Sequence, residues 1–159
     1  METYQDKTMN KRDDFRNNEE ADSMNEVLRG EKSAVEVYEQ ALSKLDSDPE
    51  ANRLREILKD HKQAVTYWSN EVKLEGSEPD ESSGVWGVAA ETLVGAAKLI
   101  GNSSTLKALK EGEEHGLKEY EGFMESEDAS IKHKSFVKDT LITNQRKHIN
   151  SLNALIKIQ

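Results

Sequence analysis

Gly112-Glu113-Glu114-His115-Gly116-Leu117-Lys118-Glu119-Tyr120-Glu121 has an echo earlier in the chain, Gly30-Glu31-Lys32-Ser33-Ala34-Val35-Glu36-Val37-Tyr38-Glu39, at an offset of 82 (113 − 31). Four positions are identical: Gly30/Gly112, Glu31/Glu113, Tyr38/Tyr120 and Glu39/Glu121. Val35/Leu117 and Leu42/Met124 are apolar in both copies. One copy in each half implies two related halves folded about a common axis.

The carboxylates matter because of where they fall. Met24, Leu28, Glu31, Val35, Tyr38, Leu42 and Leu45 alternate steps of 4 and 3, the rhythm of a helix that buries one stripe in a bundle. Leu106, Lys110, Glu113, Leu117, Tyr120 and Met124 keep the same rhythm. Glu31 and Glu113 therefore stand where apolar side chains belong. A carboxylate on a core stripe is costly unless it is paired, protonated or bound to a metal.

Working outward, Ser23 with Glu26 matches a capping box and starts a first helix that ends near Leu45. Residues 1–21 are polar and of mixed charge and read as a disordered tail. After the Asp46-Ser47-Asp48-Pro49 turn, a second helix to Leu74 carries the stripe Leu54, Leu58, His61, Val65, Trp68 and Val72. A Ser/Glu/Asp/Pro loop spans Gly76 to Gly84. Trp86, Ala90, Leu93, Ala97 and Ile100 then make a narrow stripe on a crossover helix, 85–100. A third helix starts near Ser104 and a fourth runs from Ile131, with the stripe Leu141, Gln145, His148, Leu152 and Leu155. The expected fold is all-α: a four-helix bundle over 22–159, made of hairpin 23–74, the crossover helix, and hairpin 104–158.

Each long helix thus places one metal-capable residue on its buried stripe: Glu31, His61, Glu113 and His148. Each Glu precedes its hairpin turn by about as many residues as the His follows it. Antiparallel pairing sets Glu31 level with His61 and Glu113 level with His148, and a pseudo-twofold brings all four together. Two imidazoles and two carboxylates suit one divalent ion of zinc, iron or manganese. The separation in the second hairpin is five residues longer (148 − 113 = 35 against 61 − 31 = 30). His115 and His133 fall off the stripes and are expected in solvent, as are Glu114 and Glu119. Tyr38 and Tyr120 are expected as core residues with a hydrogen bond each. Gly30 and Gly112 imply either close helix approach beside the Glu or a remnant of duplication.

Composition narrows the partners. A formal net charge of −9 argues against non-specific nucleic-acid binding, which needs a cationic face. No cysteine is present, so disulfides, thiolate nucleophiles and Fe–S clusters are excluded. The polar N-terminus lacks a signal-peptide core, which favours the cytoplasm. The longest apolar run, Val85 to Ile100, holds Glu91 and Lys98 and is too short to span a membrane. A monomer, or a homodimer through the crossover helix, fits this pattern. There is no phosphate-binding glycine loop, nucleophile elbow or basic aromatic patch, so no catalytic residue is assigned.

The Glu-x₆-Tyr pattern on the first helix of each hairpin, with His on the second, resembles the ferritin-like superfamily, with rubrerythrin the nearest well-understood comparison. From Asp22 to Ile158 the chain also resembles an uncharacterised bacterial family of four-helix-bundle proteins known only as a domain of unknown function. The Gly-Glu…Tyr-Glu copies, Leu58-Lys59-Asp60-His61-Lys62 and the Trp86-containing crossover carry that likeness. The resemblance implies a ferritin-like bundle and a metal-binding, stress-associated role. It makes Glu31 and Glu113 terminal carboxylates and His61 and His148 the histidines. In such sites a Glu one turn before each His bridges two irons; those positions hold Leu58 and Gln145, so a di-iron centre is not expected. Asp60 points about 100° away from His61 and is a poor substitute. Two readings stand: a ferritin-like protein holding one ion with two Glu and two His, and a non-catalytic structural or interaction bundle with a metal-free Glu–His network.

Overall fold

The computed structural model describes residues 4–45, 51–84 and 102–159. The expected crossover helix, 85–100, lies outside them. The described residues form four helices and no strand. They are α1 (Tyr4–Leu45), α2 (Ala51–Leu74), α3 (Asn102–Glu125) and α4, which runs α-helically over Ile131–Phe136, through a π turn over Val137–Leu141, and on over Ile142–Lys157.

The helix ends follow local chemistry. α2 closes in a Schellman motif. Gly76 takes φ 78°, its N–H reaches the Lys73 carbonyl at 3.0 Å, and Ser77 N–H reaches the Val72 carbonyl at 3.1 Å. Ser130 caps α4 with extended backbone, its hydroxyl accepting from His133 N–H at 3.3 Å. α1 begins at Tyr4 rather than at the Ser23 capping box. No Gly or Pro interrupts residues 4–29, so nothing stops the helix from continuing back through that box. Residues 4–21, read from composition as a disordered tail, have helical backbone.

α1 pairs with α2, and α3 with α4. After Gly76 the chain turns back along α1. Asn25 Nδ2 donates to the Glu78 carbonyl at 3.1 Å, Asp80 N–H donates to Asn25 Oδ1 at 2.9 Å, and Ser83 Oγ donates to Glu36 Oε2 at 2.7 Å. Arg29 and Lys32 both bond Asp80.

The core is divided. One apolar cluster gathers Met24, Leu28, Trp68, Phe123 and Val137. The other gathers Tyr38, Leu45, Leu54, Leu109 and Leu152. Burying each large side chain contributes about 1.5–3 kcal/mol. Between the two lies a polar layer: Glu31, His61, Glu113, Gln145 and His148 are all buried. Glu31, His61, Glu113 and His148 all sit on the core side of their helices, where the stripes placed them.

The π turn changes the reading of α4. A π turn holds roughly one residue more than an α turn, so the stripe upstream of Leu141 shifts by one. Val137 and His133 face the core, both at 1% exposure or less. His133 was expected in solvent because an uninterrupted 4/3 pattern puts Lys134 on the stripe instead. The same turn takes up about one of the five extra residues of the second hairpin.

Candidate metal centre

Glu31 and Glu113 enter the polar layer from α1 and α3, and His61 and His148 from α2 and α4; none of the four is more than 5% exposed. The repeat is visible in the bonding. Tyr38 donates to Glu113 Oε1 at 2.5 Å, and its counterpart Tyr120 donates to Glu31 Oε1. Each tyrosine thus holds the other half's carboxylate. The hydrogen bonds expected of these tyrosines are present, and they tie α1 to α3.

Both imidazoles turn one nitrogen toward Glu113. His61 Nε2 is 3.0 Å from Oε1 and His148 Nδ1 is 3.2 Å from Oε2. The other nitrogens meet different carboxylates: His61 Nδ1 lies 2.8 Å from Glu31 Oε2, and His148 Nε2 lies 3.0 Å from Asp60 Oδ2. The rings are 5.2 Å apart, centroid to centroid. Gln145 donates to the Glu113 backbone carbonyl at 3.0 Å. Three of the four anticipated ligands, His61, Glu113 and His148, bring donor atoms within 4.8 Å of one another. Glu31 is not in that group; it holds the far side of His61.

Asp60 has a different part from the one expected. It points away from His61, as the 100° step requires, but that direction carries it across to His148 on α4. It supports the other hairpin's histidine.

The charges are strongly coupled. Burial pushes the Glu113 carboxyl up, but the His61 charge and hydrogen bonds from His148 and His61 outweigh it and bring the pKa down to about 2. Burial pushes the His61 imidazole down, but the Glu113 and Glu31 charges outweigh it and hold it well above its usual range. Burial and the Glu113 charge raise the Tyr38 phenol well above 10. Without a metal, then, His61 is an imidazolium donating to two carboxylates.

A second buried His–Glu cluster went unread in the sequence. His133 Nδ1 lies 2.6 Å from Glu20 Oε1, and Nε2 lies 2.9 Å from Glu71 Oε2. Ser130 N–H donates to Glu20 at 2.8 Å, and Lys132 reaches Glu71. The available signal was the unequal hairpin length, which the π turn partly absorbs. Of the other residues placed in solvent, His115 is exposed, whereas Glu114 and Glu119 are half-buried, and Glu119 reaches over α1. Its Oε2 would lie 2.9 Å from a Cβ at Gly30. Gly112 has no such neighbour within 4 Å, so the two matched glycines do not share a packing role.

The family described as Domain of unknown function (DUF2383) matches residues 19–126, more than half of the 159. The chain belongs to the DUF2383 family. The match takes in Glu20, Glu31, His61, Glu71 and Glu113, and ends before His133 and His148. No curated protein and no solved structure shows a significant match to this DUF2383 chain. No described helix is long and apolar enough to cross a membrane.

Proposed function

We propose that this DUF2383 protein is a ferritin-like, metal-binding bundle that holds one divalent ion between His61, Glu113 and His148. The observation that carries the reading is the convergence of two imidazole nitrogens on one buried carboxylate, with donor atoms within 4.8 Å. Ligand bonds of about 2.0–2.2 Å would draw these three donors onto a common point. The far nitrogens support it further. Histidine ligands ordinarily donate their second N–H to a carboxylate, which fixes ring and tautomer, and Glu31 and Asp60 stand in those places. Glu31 is thus a positioning carboxylate here rather than a fourth ligand.

Two histidines and one carboxylate form a donor set used by Zn²⁺ and by non-haem Fe²⁺; Mn²⁺ is the third candidate. Such an ion, when bound, supplies Lewis acidity and, if iron or manganese, a redox couple. One ion fits better than two. Leu58 offers no donor where a bridging carboxylate would stand, and the Gln145 amide is engaged with the Glu113 carbonyl. His61 gives up its Nε2 proton to bind, so affinity rises with pH.

The competing reading is a structural bundle with a metal-free ion network, favoured by the fact that Glu31, His61, Glu113 and His148 all have partners already. Elemental analysis of purified, untagged protein decides between them. Near-stoichiometric metal in wild type and none in His61→Ala/His148→Ala is expected. No metal in either, even after reconstitution, leaves the network reading.

A further inference from the structure

A cavity of about 260 Å³ lies between α1 and α3. Its walls are small or apolar, among them Val27, Ala34 and Val37 from α1 and Ala108 and Leu109 from α3. It reaches inward to the Tyr38–Glu113 and Tyr120–Glu31 pairs. An apolar body with a few convergent polar groups is the form of a small-molecule site. An apolar cavity of about 150 Å³ takes benzene, so this one has room for a ring with a short substituent.

The charge of the lining selects the guest. Four carboxylates line the cavity, Glu31, Glu111, Glu113 and Glu119, against two histidines, and no Lys or Arg is among the described lining residues. Glu119 is half-buried, and its Oε1 lies 3.3 Å from His115 Nε2. Burial pushes its carboxyl above the usual range, and the Glu26 and Glu31 charges add to this, with only His115 acting in the opposite direction. Gly112 is exposed yet lines the cavity, and a Cβ there would meet nothing within 4 Å. Glu111 and His115, also exposed, line the cavity as well, so the opening to solvent runs along this stretch of α3.

We propose that this cavity binds a small organic cation, a primary ammonium on a single ring or short alkyl body, with the ammonium at Glu119 and the body against the Val37 and Leu109 wall. The site does not depend on a metal at the centre.

The test uses full-length, chelator-treated protein and three probes of one shape, benzylamine, benzyl alcohol and benzoate, by calorimetric titration. Saturable binding of benzylamine is expected, with benzyl alcohol weaker by about tenfold and no binding of benzoate. Gly112→Phe, which fills the opening, should weaken benzylamine by at least about tenfold. Glu119→Gln should weaken benzylamine by about tenfold and leave benzyl alcohol unchanged. No saturable binding of any probe, or benzylamine binding untouched by both substitutions, overturns the site. Benzyl alcohol or benzoate binding as tightly as benzylamine overturns the cation assignment. Metal content is measured on the same preparations, so a metal-free protein that binds benzylamine leaves the cavity standing while the metal reading falls.

Discussion

Two buried histidines in this bundle each lie between two glutamates, and they are not equivalent. His133, at one end, spends both ring nitrogens on separate carboxylates, Glu20 and Glu71, with Lys132 closing the charge. His61, in the middle, also bridges two carboxylates, Glu31 and Glu113. What differs is a second imidazole: His148 turns to the same Glu113. Two nitrogens on one carboxylate define a point where an ion could sit, whereas one ring between two carboxylates defines only a place for protons. Burial and Glu–His pairing are common to both clusters, so neither property alone makes a metal centre.

The largest effect should come from breaking that convergence. His61→Ala/His148→Ala is expected to abolish stoichiometric metal by elemental analysis. His133→Ala should leave metal content unchanged and lower unfolding free energy by about 3 kcal/mol, because two carboxylates lose the ring between them. Equal metal loss in both variants would mean that the ion depends on overall folding rather than on the centre.

Next in size are the carboxylates behind the imidazoles. Glu31→Gln and Asp60→Asn should each weaken metal affinity by about 10–100-fold while leaving stoichiometry at one. Complete loss with Glu31→Gln would return Glu31 to the ligand set.

Much of this could be read from the sequence because the repeat and the 4/3 stripes are local, periodic signals. Glu31, His61, Glu113 and His148 interrupt apolar stripes in matched positions, and burial of those stripes forces them inward. What escaped notice depends on events that periodicity does not encode. The π turn over Val137–Leu141 moves His133 into the core. Its partners, buried Glu71 and half-buried Glu20, are then gathered round a residue that no stripe predicted. α1 runs back past Ser23 because a capping box marks where a helix can begin, and only a breaker upstream makes it do so. Asp60 lies off the stripe of its own helix, and its partner is on another.

The clusters should also separate by pH. In the end cluster, burial raises the Glu20 and Glu71 carboxyls, but hydrogen bonds from Ser130, His133 and Lys132 hold both below 4.5. A lowered native pKa contributes stability above pH 4.5 that is lost as pH falls through the native values. Glu20→Gln should therefore cost stability at pH 7, and its curve should converge with wild type in acid. In metal-free protein the raised His61 has the opposite sign. Its contribution is present below pH 6.5 and is lost as pH rises through the elevated native value. Chemical denaturation across pH should show an alkaline limb that disappears in His61→Ala and survives in Glu20→Gln.

The smallest expected effect concerns the glycines of the repeat, Gly30 and Gly112, each one residue before a central glutamate. Both lie inside helices at negative φ, where glycine costs about 1 kcal/mol relative to alanine. At Gly112 a Cβ meets nothing within 4 Å, so Gly112→Ala should recover about 1 kcal/mol. At Gly30 the same substitution places Cβ 2.9 Å from Glu119 Oε2, and the carboxylate must swing aside. The gain there should be smaller than at Gly112, by thermal or chemical denaturation. Equal gains would mean that Glu119 moves freely and is not held over α1. A loss at Gly112 would mean that another part of the chain occupies the opening between α1 and α3.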